Sequence, residues 1–300
     1  MIFDINKQIE FNPQVLNQKE FDFDNVIVGG MGGSALPARV IFYLDPVYPL
    51  WLHNDFELPK KIEGKPLFVA ISYSGNTAET ISFTKEAHDK NFSLAVITSG
   101  GALKDFAEKE NIPHILVPEG LEPRDALVYM LKSLLTVLGR TELISETEKV
   151  QIDLEKVEEE SRDIASFLSL GLPVVYAAEQ NSALSYLWKI VLNETAKVPA
   201  FANSFPELTH NELEVINDKQ RIILLTDGSE SEGVKNEMKA FLELSGKNEW
   251  LVKRVLLKGS RAESLIKTWI LARNTARSLA SMNGADPEGV PVIENFKKRL

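Results

Sequence analysis

Cysteine is absent from the 300-residue sequence. That excludes a disulfide framework, a thiolate nucleophile and any Cys-ligated zinc or iron–sulfur site. Histidine is scarce: His53, His88, His114 and His210 leave little for an all-histidine metal site, and no HExxH occurs. Positive charge is short as well, with 33 Lys and Arg against 43 Asp and Glu and a formal net charge of -10. The broad basic field that draws nucleic acid or an anionic membrane is therefore missing. No apolar run approaches the roughly 18 residues of a membrane span. The opening MIFDINKQIEFNPQ is acidic and polar, unlike a signal peptide. What remains is the composition of an ordinary folded protein, 44% apolar and 25% charged. The expectation is a cytoplasmic protein of one large domain or two of about 150 residues. A small anion would be held only where local positive potential is concentrated against the net charge.

The apolar pattern alternates between short buried strands and amphipathic helices. Strands are expected at 25–28, 48–53, 66–72, 94–98 and 112–117. Helices are expected at 34–44, with Pro37 in the first turn, from Thr77, at 102–110 and from Arg124 to Leu138, where Gly139 suits a cap. Ser145 to Leu170 is highly charged, with Val150, Leu154, Val157 and Ile164 on one side, and reads as one long amphipathic helix. The alternation then restarts, with strands at 173–178, 221–226 and 250–257. Its helices fall at 183–196, 233–245 and 260–281, and a short one at 290–299. Uniformly apolar strands alternating with helices indicate an α/β fold, a mainly parallel sheet covered on both faces. The restart predicts two such domains, 1–145 and 146–300, the second including the linker helix and the C-terminal helix.

Two loops carry the chemistry. Gly30-Met31-Gly32-Gly33-Ser34-Ala35 follows a strand and fits the loose pattern G-x-G-x-x-A, with Asp55 about 25 residues on. A dinucleotide site and a plain strand-to-helix turn needing glycine freedom both fit it. Ser72-Tyr73-Ser74-Gly75-Asn76-Thr77 is more informative, because it packs three short hydroxyls and a glycine into six residues just before a helix. A helix N-terminus offers free N–H groups and the positive end of its dipole, which suits phosphate. An N-cap explains one hydroxyl of the three.

SYSGNTAET after a strand resembles the signature of the sugar isomerase (SIS) domain. GMGGSA (30–35), EPRDALVY (122–129), NETAK-VPAF (193–201), FPELTHNE (205–212) and DP…VIENFK (286–297) follow in the order found in bifunctional phosphoglucose/phosphomannose isomerases. The chain is similar to that family over most of its length. The resemblance implies two SIS-type domains, each doubly wound and flavodoxin-like. It also implies an aldose–ketose isomerase that interconverts glucose-6-phosphate, mannose-6-phosphate or both with fructose-6-phosphate through a cis-enediol(ate), with no metal or cofactor. By the same resemblance the phosphate falls to Ser34, Ser72, Ser74 and Thr77, with Gly33 and Gly75 allowing backbone approach. Glu194 takes the position of the base, and His210 that of the residue serving the ring oxygen. Arg124 is the arginine beside the enediolate oxygens. Lys297, or Lys298 one register away, is the lysine that assists ring opening. In related isomerases the histidine comes from the neighbouring subunit, which implies a homodimer with shared sites. Tyr73 is expected in the wall of the site, and His53, His88 and His114 outside it.

The sequence departs from the family pattern twice: Leu36-Pro37-Ala38-Arg39 replaces a small-residue and acidic stretch, and Glu288-Gly289 stands where Thr-Pro is common. The second departure bears on the choice of C2 epimer. Three other readings compete. A non-catalytic SIS regulator has no reason to keep Glu194, His210 and Arg124 together. An NAD(P)-dependent oxidoreductase leaves the hydroxyl loop unexplained. An amidotransferase's isomerase half would need a cysteine-dependent glutaminase that is not there.

Overall fold

The computed structural model describes residues 3–297 and 299. Its contacts divide the chain after Val150 into two compact units. In the first, α1 (Ile5–Glu10) precedes β1 (Asn25–Gly30), α2 (Leu36–Leu44), β2 (Leu50–His53) and β3 (Pro66–Ser72). Then come α3 (Ala78–Asp89), β4 (Leu94–Thr98), α4 (Gly101–Lys109), β5 (His114–Leu116), α5 (Leu127–Val137) and α6 (Thr141–Glu148). The five strands form one parallel sheet in the order β2-β1-β3-β4-β5. β1 and β3 are buried along their whole length, so both sheet faces are covered, as their unbroken apolar runs require. Phe68, Phe83, Val96 and Leu103 belong to the core that the sheet shares with its helices.

The second unit holds α7 (Leu154–Leu168), β6 (Leu172–Ala178), α8 (Ser182–Val191), β7 (Phe201–Phe205) and β8 (Gln220–Thr226). It continues with α9 (Glu232–Lys247), β9 (Val252–Leu256), α10 (Arg261–Asn283) and α11 (Pro291–Lys297). Its four strands are again all parallel, in the order β7-β6-β8-β9. Tyr176, Phe205, Leu208, Leu224 and Phe241 centre its core.

Three expectations are corrected. The single helix over 145–170 is two, α6 and α7, because Asp153 leaves the helical region (φ -79°, ψ 92°) and caps α7 by accepting the Lys156 N–H at 3.1 Å. An aspartate at that place is a better N-cap than helix interior. The helix expected from Arg124 starts later: Pro123–Asp125 form a 3₁₀ turn, and α5 begins at Leu127. The helix expected over 183–196 ends at Val191, and Leu192–Ala196 form a π-helical turn. β7 has no counterpart in the apolar pattern. Its sequence FANSF has neither alternation nor a β-branched residue, and it is an edge strand with only Ser204 and Phe205 buried.

Candidate active site

In the first sheet the chain steps from β1 outward to β2 and then back across β1 to β3. The reversal leaves a crevice at the carboxyl ends of β1 and β3, the usual binding position of open α/β sheets. Both chemically equipped loops leave from there, since Gly30 pairs with Ile71 at the end of the β1–β3 ladder.

The two loops brace one another. Ser34, in the 3₁₀ turn Gly32–Ala35, is buried, and its Oγ accepts the Tyr73 N–H at 2.9 Å. Ser72 Oγ accepts the Gly75 N–H at 3.1 Å and donates to Thr77 Oγ1 at 3.0 Å. Thr77 stands at the N-cap of α3 but its side chain caps nothing. Having accepted from Ser72, its hydroxyl keeps its own hydrogen to donate. Ser74 is exposed and accepts the Asn76 N–H at 3.3 Å. Gly75 sits at φ 68°, and a Cβ there would lie 1.8 Å from Gly100 O. Only glycine fits, because the turn 98–103 packs onto the loop, with Leu103 N–H donating to Gly75 O at 2.9 Å. Tyr73 is buried, donates to Pro118 O at 2.7 Å and accepts the Leu121 N–H at 3.0 Å.

Gly33 has a neighbour that the sequence did not reveal. A Cβ on it would lie 2.6 Å from the Arg124 backbone nitrogen, so the 3₁₀ turn 123–125 is seated directly on the glycine loop. Arg124 is thereby placed beside the glycine loop, 1% exposed, with its Nη1 3.3 Å from Glu122 Oε2. Arg39, from the first departing stretch, donates to Asn54 Oδ1 at 3.3 Å, and Asn54 in turn donates to Gly30 O. That departure thus supports the loop it follows.

In the second unit Glu194 is half-buried within the π-helical turn that ends α8. Such turns are rare and concentrate at functional sites. Asn193 Oδ1 accepts the Ala200 N–H at 2.8 Å and closes the turn onto the approach to β7. His210 ends the 3₁₀ turn Glu207–His210 beyond β7 and is exposed. Two residues on, Glu212 accepts the Tyr176 hydroxyl at 2.5 Å and the Asn203 amide at 2.6 Å, which anchors this turn to β6 and β7. Burial, and then the Glu212 carboxylate, push the Tyr176 pKa up, so the phenol remains a donor.

Helix α8 runs back from the carboxyl end of β6, so Glu194 lies where β7 begins and His210 where β7 ends. At about 3.3 Å per residue the strand separates the two ends by roughly 15 Å. Lys297 is the last residue of α11 and is exposed, while Lys298 lies outside the described residues.

The second unit repeats the crevice between β6 and β8, but Asp227 and Glu230 fill it. Gln180 donates to Asp227 Oδ2 at 3.1 Å, and Asp227 N–H donates to Glu230 Oε1 at 2.9 Å. Burial works against ionisation of Asp227, but hydrogen bonds from Ser229 and Gln180 outweigh it and hold the carboxyl below its ordinary range. That crevice carries two carboxyl groups, whereas the first unit's hydroxyl loop, 72–77, has none within it. Among the described residues no group of three or more His, Asp or Glu is placed to hold a metal ion.

A relative from Thermoplasma volcanium, a bifunctional phosphoglucose/phosphomannose isomerase, is 31% identical over 97% of this chain and 100% of its own length. The chain belongs to that family. A second member, from Caldicellulosiruptor bescii, is 36% identical over 70% of this chain and 68% of its own. The family model for the bacterial phospho-glucose isomerase C-terminal SIS domain matches residues 157–300. The fold is shared with tagatose-6-phosphate ketose/aldose isomerase from Escherichia coli, at TM-score 0.68 and 15% identity over 89% of this chain and 85% of that one. In this chain Lys197, Tyr176, Asn203 and Glu212, which brace the Glu194 and His210 turns, are the residues that sequence reasoning passed over. NETAK and HNE contain two of them, and the contacts that give them work lie between segments distant in sequence.

Proposed function

We propose that this chain is an aldose–ketose isomerase that interconverts glucose-6-phosphate and mannose-6-phosphate with fructose-6-phosphate. The observation that carries the reading is the crevice of the first sheet, where the hydroxyl loop, the N-terminus of α3 and Arg124 are assembled around the seat of Gly33.

Ser34, Ser74 and Thr77 hold the phosphate with the α3 N–H groups, Ser72 orients Thr77 by donating to it, and the helix dipole supplies positive potential that the net charge does not. Glu194 takes the proton from C2 of the open aldose and returns it to C1 of the enediol on the same face. A proton also passes from the C2 hydroxyl to the C1 oxygen, and the C1–C2 double bond of the intermediate becomes the C2 carbonyl of the ketose, so atoms and electrons balance without an external oxidant. Arg124 stabilises the enediolate oxygens, and Lys297 and His210 move protons at the ring oxygen during opening. Because His210 and Glu194 stand at opposite ends of β7, we assign His210 to the site of a second copy, in a homodimer with two composite sites. The two units are read as two SIS domains of one cytoplasmic enzyme. No helix among the described residues is long and apolar enough to cross a membrane.

The test is an EDTA-treated assay of fructose-6-phosphate that resolves both aldose products. Both products are expected. A protein that binds fructose-6-phosphate but forms neither is a sensor, and the proposal fails.

A further inference from the structure

Lys197 closes the π-helical turn that carries Glu194. Its backbone is left-handed, at φ 57° and ψ 33°, a conformation uncommon for a residue with a Cβ. The side chain donates to two backbone carbonyls. One is Glu194 O, in the same turn, and the other, at 2.6 Å, is Gly289 O, 92 positions along the chain. A cation suits the first place, because the last carbonyls of a helix are unpaired and carry the negative end of its dipole. An ammonium has three donors, so a second acceptor costs it nothing.

The Gly289 end is itself built to receive that bond. Asp286 accepts the Glu288 N–H at 2.9 Å and the Gly289 N–H at 3.2 Å, folding the segment into a tight turn. Glu288 then pairs with Arg277 of α10 at 2.5 Å. Proline at 289 would supply no N–H for Asp286, and a Cβ there would come within 2.8 Å of Asp286 Oδ2. Glu288-Gly289, the second departure from the family pattern, is therefore a fitted turn. It is pinned to α10 on one side and to the Glu194 turn on the other, two residues before α11 and its Lys297.

We propose that Lys197 is a positioning residue, a clasp that keeps the Glu194 turn in register with the 286–289 segment and α11. The role rests on Glu194 being the base. Lys197 transfers no proton; it fixes where the carboxylate stands. Since a displacement of about 1 Å can cost on the order of 100-fold in rate, loss of the clasp acts on kcat. The residues proposed to hold the phosphate are not altered, so KM is largely spared.

The full-length enzyme is compared with Lys197→Met and Lys197→Arg by fructose-6-phosphate kinetics, thermal melting and amide hydrogen exchange. Lys197→Met is expected to lower kcat about 10- to 100-fold with KM within about threefold, and to speed exchange at 193–197 and 286–290. Lys197→Arg, which keeps charge and donors, is expected to recover most of the rate. Unchanged kcat in Lys197→Met overturns the proposal. So does an equal fall of activity and melting temperature in both variants, which is the mark of a merely structural lysine. A wild-type protein without turnover overturns the isomerase reading instead. The exchange comparison then still decides the clasp, since unaltered exchange at 286–290 in Lys197→Met refutes it.

Discussion

In the proposed mechanism Glu194 and the loop hydroxyls divide the labour between chemistry and binding, and substitution separates the two. Glu194→Gln keeps the size and hydrogen bonding of the side chain but removes the base. Turnover is expected to fall at least about 100-fold, while calorimetry still shows fructose-6-phosphate bound at near wild-type affinity. Ser74→Ala with Thr77→Ala acts on the other term. Each hydroxyl bonded to a charged phosphate contributes about 1.5–3 kcal/mol, so the double variant is expected to bind at least about 100-fold more weakly. An unaltered affinity would place the phosphate elsewhere. Thr77 is free for this task because it leaves α3 uncapped, whereas Ser72 spends its hydroxyl inside the loop.

Loops and turns are the elements that make these residues usable. Gly75→Ala would force a Cβ into Gly100 O at a positive φ. The backbone strain alone is about 1–2 kcal/mol, and the contact cannot relax because both partners are main chain. Melting temperature and sugar-phosphate affinity are both expected to drop, and an unaffected Gly75→Ala protein would mean that the 98–103 turn moves freely. The His210 turn depends on the Tyr176–Glu212 bond. Since burial and Glu212 raise the Tyr176 pKa above its ordinary 10.0, the folded protein keeps a proton that the unfolded chain releases. The associated stability is whole below pH 10 and declines as pH rises beyond it. Denaturant titrations of wild type and Tyr176→Phe are expected to converge above that pH. Parallel curves would show that this phenol does not contribute.

At the scale of the whole molecule, the proposed assignment of His210 to the site of a second copy is tested by mixing two defective variants. Glu194→Gln and His210→Asn homodimers are each expected to be nearly inactive. Unfolded together and refolded as a mixture, they form hybrid dimers in which one site has both defects and the other has neither. Activity approaching about a quarter of wild type is the expected recovery, since half the dimers are hybrids and half their sites intact. No recovery would place both residues in one chain's site.

Strand and helix periodicity and buried apolar runs are local properties, which is why the sequence alone determined the α/β class and Pro66–Ser72 and Leu94–Thr98 to the residue. The order of NETAK, PELTHNE and DP…VIENFK likewise marked the family before any geometry was known. Where backbone choice rests on a competing local bond, the pattern misled: Asp153 capped a new helix inside an amphipathic stretch. β7 was invisible because an edge strand buries too little to need alternating apolar residues. Only tertiary structure decided that Gly33 is a seat for Arg124, that Glu212 anchors the His210 turn, and that Lys197 reaches Gly289 across 92 positions. Those are contacts between segments remote in sequence, and no local pattern encodes them, because each depends on where the sheet brings its partners together.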